Sequence, residues 1–211
     1  MSRIFKFHLL LICLLTLFCG CSVSSISVKR DKLGGISKIA ILPFEADTVI
    51  PDSVKAESEE SFRKALVKAG FSVVDEKSMG SIISGIKSPV SDSQLSQIRM
   101  QTGADTLLLG YIDEYREDSR LSFNRASGLI FHPGFRTIKK NDENDIVEIR
   151  TLHFKIHIRM LSLATGETII AMENRYSNTT DENLVFESLS EYERYILTQM
   201  GKDLIKIFQA R

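Results

Sequence analysis

The sequence predicts an α/β fold: a single domain whose mixed sheet of about five strands is flanked by helices and completed by a long C-terminal helix. Three observations predict it. A short apolar run, KIAILPF at residues 38–44, precedes a segment of helical period. Apolar and polar residues alternate without a break over residues 152–160. The C-terminal residues carry a long amphipathic stripe. Buried strands, half-buried strands and one-sided helices in this order build a layered α/β domain.

The N-terminus reads as a targeting segment. Arg3 and Lys6 precede an apolar run over residues 7–18, too short to span a bilayer and therefore a secretory signal peptide over residues 1–20. The run closes in Leu17-Phe18-Cys19-Gly20-Cys21, which resembles the lipobox of bacterial lipoproteins, with a small residue before a cysteine that receives acyl chains such as palmitate. Gly20 and Cys21 fit that pattern, Phe18 and Cys19 fit it loosely, and no A-x-A-like cleavage site competes. Two or three acyl chains make attachment effectively permanent. Ser22 follows the cysteine; with no Asp there, the resemblance implies the outer membrane.

Cleavage before Cys21 leaves 191 of 211 residues, enough for one domain with a sizeable core. It removes Arg3 and Lys6, so 25 basic residues face 27 acidic ones, and a near-neutral chain argues against nucleic acid as a partner. All three cysteines lie at or before position 21, which excludes disulfide, thiolate-metal and cysteine-nucleophile chemistry in the folded part. Residues 21–37, polar and rich in serine with Gly34-Gly35, read as the lipidated cysteine and a short tether, and the domain is expected over residues 38–211.

Within the domain, residues 38–44 fit a strand ending at Pro43. Pro51-Asp52-Ser53 signals a helix start; Val54, Ser58, Phe62, Ala65 and Leu66 then recur at helical spacing until Gly70. Residues 71–74 read as a strand. A short helix bearing Met79, Ile82, Ile83 and Ile86 follows, then another over residues 92–102 with Gly103 as its stop. A third strand begins at Thr106 and runs outward through Gly110-Tyr111-Ile112 into a charged stretch. Leu152, Phe154, Ile156, Ile158 and Met160 alternate with His153, Lys155, His157 and Arg159, which is a half-buried strand. A turn at residues 164–167 returns it as residues 168–172. Thr180-Asp181 opens the C-terminal helix, whose stripe is Leu189, Tyr192, Ile196, Met200, Leu204, Ile207 and Phe208.

Taken together, KIAILPFEAD, ALVKAGFSVVDEKSMGSII, TGADTLLLGYIDEY and FKIHIRMLSLATGETII resemble the curli secretion lipoprotein family, known as CsgG-like. Its core is shared with the lipoprotein activators of penicillin-binding proteins and with the N-terminal domain of TolB. The most specific matches are Gly103-Ala104-Asp105 and Thr165-Gly166-Glu167. The resemblance implies two membrane-entering hairpins in a curli-type channel. Here an insertion over residues 116–146 stands at the first place, while the second holds only residues 174–183. The activators carry a long tether across the peptidoglycan, and this one is short.

Candidate sites come from two regions. His153 and His157 would share one face of a helix as zinc ligands, but on a strand their Cα atoms stand about 13 Å apart, so the alternation favours a solvated or partner-facing sheet surface. Phe131-His132-Pro133-Gly134-Phe135 places a Pro-Gly turn between aromatics. With Phe123 and Leu129 it either folds back over the domain, presents a contact surface, or enters lipid, where Arg125 in the same register would be unfavourable. The tentative partner-binding residues are thus Phe123, Leu129, Phe131, Phe135, His153 and His157. Residues 139–145 lack the glycine and distal glutamate of a calcium loop. No nucleophile elbow, HExxH, P-loop or dinucleotide motif is present, so no enzyme, cofactor or metal is expected. Three classes of function remain, ranked in order: a non-catalytic envelope lipoprotein that binds protein partners, a subunit of a curli-type pore, and a regulator of peptidoglycan synthesis. The identity of the envelope partner and any homo-oligomer stay open.

Overall fold

The structure is a computed structural model and describes residues 24–46, 50–75, 79–80, 86, 89–123, 138–140, 146–174, 186 and 188–210; for those within 119–151 it describes the backbone alone. Eight strands form one sheet: β1 (Ser24–Val28), β2 (Lys38–Ile41), β3 (Glu45–Ala46), β4 (Ser72–Val73), β5 (Thr106–Phe123), β6 (Ile138–Lys140), β7 (Ile146–Ser162) and β8 (Thr168–Asn174). The main order is β1-β8-β7-β5-β2-β4, with β3 beside β5 and β6 beside β7. Pairing is parallel among β2, β3, β4 and β5 and antiparallel from β5 through β7 and β8 to β1, so the sheet is mixed. The helices are α1 (Asp52–Lys68), α2 (Asp92–Thr102) and α3 (Leu189–Gln209).

The expected five strands are present, and β1, β3 and β6 are additional. The first changes the reading of the N-terminus. Residues 24–28 are a strand in register with β8, followed by a 3-10 turn (Arg30–Gly35), so residues 24–35 of the expected tether belong to the domain, which was expected only from residue 38. Leu33 and Ile36 are buried in the core, and Ser24 Oγ donates to Asp203 Oδ2 at 2.9 Å. Burial of those two aliphatic side chains outweighs the polar serines around them.

Alternation along the strands creates two cores. Ile39, Ile41, Leu108, Ile112, Phe154, Ile156 and Ile158 face α1 and α3, whereas Ala40, Leu42, Leu107 and Leu109 face Leu95 and Ile98 of α2. Helix α2 has a complete capping box from Ser91 and Gln94, and Gly103 ends it at φ 65°. Pro51 occupies the cap of α1 without a side-chain bond, and the first turn is held instead by a Lys55–Asp52 ion pair at 2.6 Å. Met79 is buried under the α2 face; Ile82 and Ile83 of the expected short helix lie outside the described residues. Gly110 is dictated by packing, since a Cβ there would stand 2.4 Å from the Phe44 ring.

The C-terminal helix starts at Leu189, with Ser188 accepting from Glu191 N at 3.2 Å; the expected start at Thr180-Asp181 lies outside the described residues. Tyr192, Ile196, Met200, Leu204 and Phe208 are buried, and Leu189 and Ile207 pack partly against the same core. Among the described residues no helix is long and apolar enough to cross a membrane.

The charged stretch after Ile112 is not a loop. Strand β5 continues to Phe123, paired with β7 back to Ile146, and β6 pairs with the other edge of β7, so the described residues of the expected insertion at 116–146 belong to a ribbon. A register shift between Ile112 and Glu114 marks its root. Here β8 ends: buried Asn174 accepts from Ile156 N and donates to Phe154 O, both at 2.6 Å. Its side chain thus takes the place of one more strand residue, which satisfies the β7 backbone where its neighbour stops.

Candidate functional site

Helix α2 covers one face of the sheet only over β2 and the first part of β5. Beyond it the pleat brings to that face Tyr111, Glu114, Arg116 and Asp118 of β5, His153, Lys155, His157 and Arg159 of β7, Ala171 and Glu173 of β8, and Ser25 and Ser27 of β1. Their opposite-parity neighbours Phe154, Ile156 and Ile158 are fully buried beneath α3. A one-residue slip of β7 would exchange the two sets, so core packing fixes this polar array.

The array is wired across three strands. His157 Nε2 lies 2.5 Å from Asp113 Oδ2, and Lys155 Nζ reaches the same carboxylate at 2.9 Å and Glu173 at 3.4 Å. His153 lies 3.1 Å from Asp118 and 3.7 Å from Glu114, while Arg116 bonds Glu114 at 2.7 Å and Asp118 at 2.6 Å. Partial burial alone would raise the Asp113 carboxyl, but hydrogen bonds from Lys155 and His157, with their charges, hold it below the ordinary aspartate value. The bond to Asp113 in turn raises Lys155.

One cation of the array has no such partner. Arg159 is exposed and, among the described residues, pairs with no carboxylate. It lines a shallow cavity of about 540 Å³ with Ser25, Ser27, Tyr111, His157 and Glu173. Small side chains make the hollow: Ala171 stands between Arg159 and Ser27 in the strand register. Its polar lining is the Arg159 guanidinium, three hydroxyls, the His157 ring and the Glu173 carboxylate, and Ile26, Ile158, Ala171 and Met172 supply the apolar remainder.

His153 and His157 therefore stand together as the alternation implied, and Arg159 extends their row. Phe123 lies on β5 at the far end of the ribbon, where the backbone alone is described, and Cys21, Leu129, Phe131 and Phe135 lie outside the described residues. Asp113, Glu173, Tyr111 and the β1 serines were not legible as members of the site. The alternation of Ala171 and Glu173 with buried Ile170 and Met172 was the available signal, but strand order and register are needed to bring it beside β7.

The most specific sequence matches have structural roles at the opposite end of the sheet. Asp105 accepts from Ser37 N at 2.9 Å, Ser37 Oγ at 2.6 Å and Lys38 N at 3.0 Å, which joins the start of β2 to the exit of α2. Gly166, at φ 69°, turns β7 into β8, and Glu167 pairs with Lys29.

No family model matches the chain, and no curated protein matches it. Among solved structures, the PelC dodecamer from Paraburkholderia phytofirmans is 14% identical over 89% of this chain and 97% of that one, with a TM-score of 0.44. The LpoB C-terminal domain from Salmonella enterica is 12% identical over 69% and 93%, TM-score 0.39. Lipoprotein GNA1162 from Neisseria meningitidis is 14% identical over 80% and 99%, TM-score 0.39. These values are too low to carry residues or activities across.

Proposed function

We propose that the protein is a non-catalytic lipoprotein of the bacterial envelope, held at the outer membrane by acyl chains on Cys21 and facing the periplasm, whose open sheet face binds a protein partner. The sequence resemblance to the CsgG-like family supports an assembly or interaction role. The observation that carries the reading is the half of the sheet that no described residue covers: an ordered array in which one cation, Arg159, has no carboxylate partner among the described residues and borders a hollow with three hydroxyls. The complementary occupant is a protein segment that presents a carboxylate to Arg159, because a guanidinium bonds carboxylates in a fixed two-pronged geometry. The neighbouring ion pairs need not break to admit it.

The test is site-specific photo-crosslinking in intact cells from a reactive side chain placed at Ser27, at the rim of the hollow, with exposed Val67 on α1 as the control position. A defined adduct from Ser27 that disappears with Arg159→Glu and persists with Lys68→Glu is expected. Equal adducts from both positions, or no effect of Arg159→Glu, would move the binding surface elsewhere.

A further inference from the structure

Hydrogen-bond parity fixes which backbone groups of β1 face out of the sheet. Lys29 N donates to Ile169 O at 2.9 Å, which puts that pair in the hydrogen-bonded class of the antiparallel alternation, together with Ser27 and Ala171 and with Ser25 and Glu173. The next ladders agree. Leu163 N donates to Asp105 O at 2.9 Å, so odd residues of β7 bond β5, and Ile156 N points the other way, toward β8, where it meets Asn174. The N–H and C=O groups of Ile26 and Val28 therefore point away from β8, and among the described residues β1 is the last strand on that side. Its sequence, SSISV, has neither the charge nor the proline that commonly guards an edge, and Ile26 is 38% exposed.

The same register sets two rows of side chains on the open face, each ending at this edge. One runs Arg159, Ala171, Ser27 and the other His157, Glu173, Ser25. A strand added outside β1 would lie three strand spacings, about 14 Å, from β7. Ala171 and Ser27 are small and leave the lane above them open, so the Arg159 guanidinium and a glutamate opposite Ser27 can extend toward each other and meet. In the other row a basic residue opposite Ser25 meets Glu173, whose carboxylate Lys155 approaches from the β7 side at 3.4 Å. The residue between the two charges falls on the opposite face, beside Ile26, where an apolar side chain fits.

We propose that the partner's carboxylate reaches Arg159 from an extended segment that adds to β1 as an antiparallel strand, with glutamate, an apolar residue and a base opposite Ser27, Ile26 and Ser25. This addition presupposes the open sheet face as the binding surface. It continues the three antiparallel pairings that run from β5 to β1. Bonds to the Ile26 and Val28 backbone supply affinity, and the two charges fix register. A second copy offering its own β1 has the wrong chemistry, because SSISV holds no acid for Arg159.

The test mixes full-length lipidated protein in detergent micelles with the peptide Thr-Val-Glu-Val-Lys-Val-Thr and follows amide hydrogen exchange by residue. The Ile26 and Val28 amides should slow by about tenfold or more at saturating peptide, while those of Ser25 and Ser27, already bonded to β8, should not change. The peptide with Glu and Lys interchanged should have no effect. Ile26→Pro removes an outward donor and no β8 bond, so it should keep the parent's denaturation midpoint and abolish the protection at Val28. If that variant does not fold, the parity of the protected amides decides alone. Protection of neither amide, or equal protection by both peptides, overturns the inference. So does protection that appears without peptide and grows with protein concentration, which would assign the edge to a second copy. Peptide that binds, weakens with Arg159→Glu and leaves both amides unprotected overturns strand addition and leaves the face as the binding surface. Binding indifferent to Arg159→Glu overturns both.

Discussion

A single buried carboxyl shows how much a residue can decide. Glu193, on the inner face of α3, is 1% exposed, and its Oε1 has no hydrogen-bond partner among the described residues. Burial and then the nearby Glu57 carboxylate raise its pKa, Tyr115 and Arg194 offset part of this, and the net result is a value of about 7. The folded state therefore prefers the neutral acid, while the unfolded chain ionises near the ordinary glutamate value of 4.5. Stability from this group is fully present below pH 4.5 and is lost as pH rises through about 7. Glu193→Gln keeps the neutral form at every pH. Its denaturation midpoint should match the parent's near pH 4 and exceed it at pH 8 by roughly 1–3 kcal/mol of stability, each pKa unit being about 1.4 kcal/mol. Parallel pH profiles for the two proteins would show that Glu193 is charged in the fold. Asp105 and Asp113 work in the opposite sense: their lowered pKa values give stability that is lost as pH falls through those values, a window separate from that of Glu193.

At the scale of the element, helix α3 binds the fold together. Met200 and Leu204 are 0% exposed between α1 and the sheet, and a Cβ added at Gly201 would stand 3.3 Å from Ala65 Cβ. Truncation of Met200 or Leu204 to Ala should cost about 2–5 kcal/mol in chemical denaturation, since a close-packed site collapses only in part. Near-zero loss at both would mean that the helix does not close this core. This element was legible because its stripe repeats over many turns. Strand β7 was legible for the same reason, from its period of two. Strands β3 and β6, with two and three residues, are too short for a period to accumulate. Strand β1 was hidden by its serines: Ser25 and Ser27 face the open side of the sheet, so only Ile26 and Val28 carried an apolar signal. The ribbon was hidden differently. Six of residues 113–120 are charged, so Tyr115, which packs on the Phe154 ring, is the single apolar sign of a strand there and no alternation can be read.

Over the whole molecule, the position of the first strand joins folding to attachment. The polar, serine-rich composition of residues 21–37 reads as a short tether between lipid and domain; the sheet uses residues 24–28 of it as an edge strand, so two residues of sequence separate Cys21 from β1. The histidine row of the site was readable from one strand, whereas its carboxylates and the hollow beside Arg159 arise from pairings of β7 with β5 and β8 that local sequence does not specify. Several acyl chains hold a protein in effect permanently, at about 0.8 kcal/mol per buried methylene. Cys21→Ala removes them. The residues that hold β1 in place, through β8 pairing and the Ser24–Asp203 hydrogen bond, are untouched by that change. Any mature Cys21→Ala protein should therefore be folded, with the parent's denaturation midpoint, and should leave the membrane fraction in high salt, while unprocessed precursor would reflect the lost cleavage site. Mature variant that still sediments completely with outer membrane in high salt would show that the acyl chains are not the main attachment.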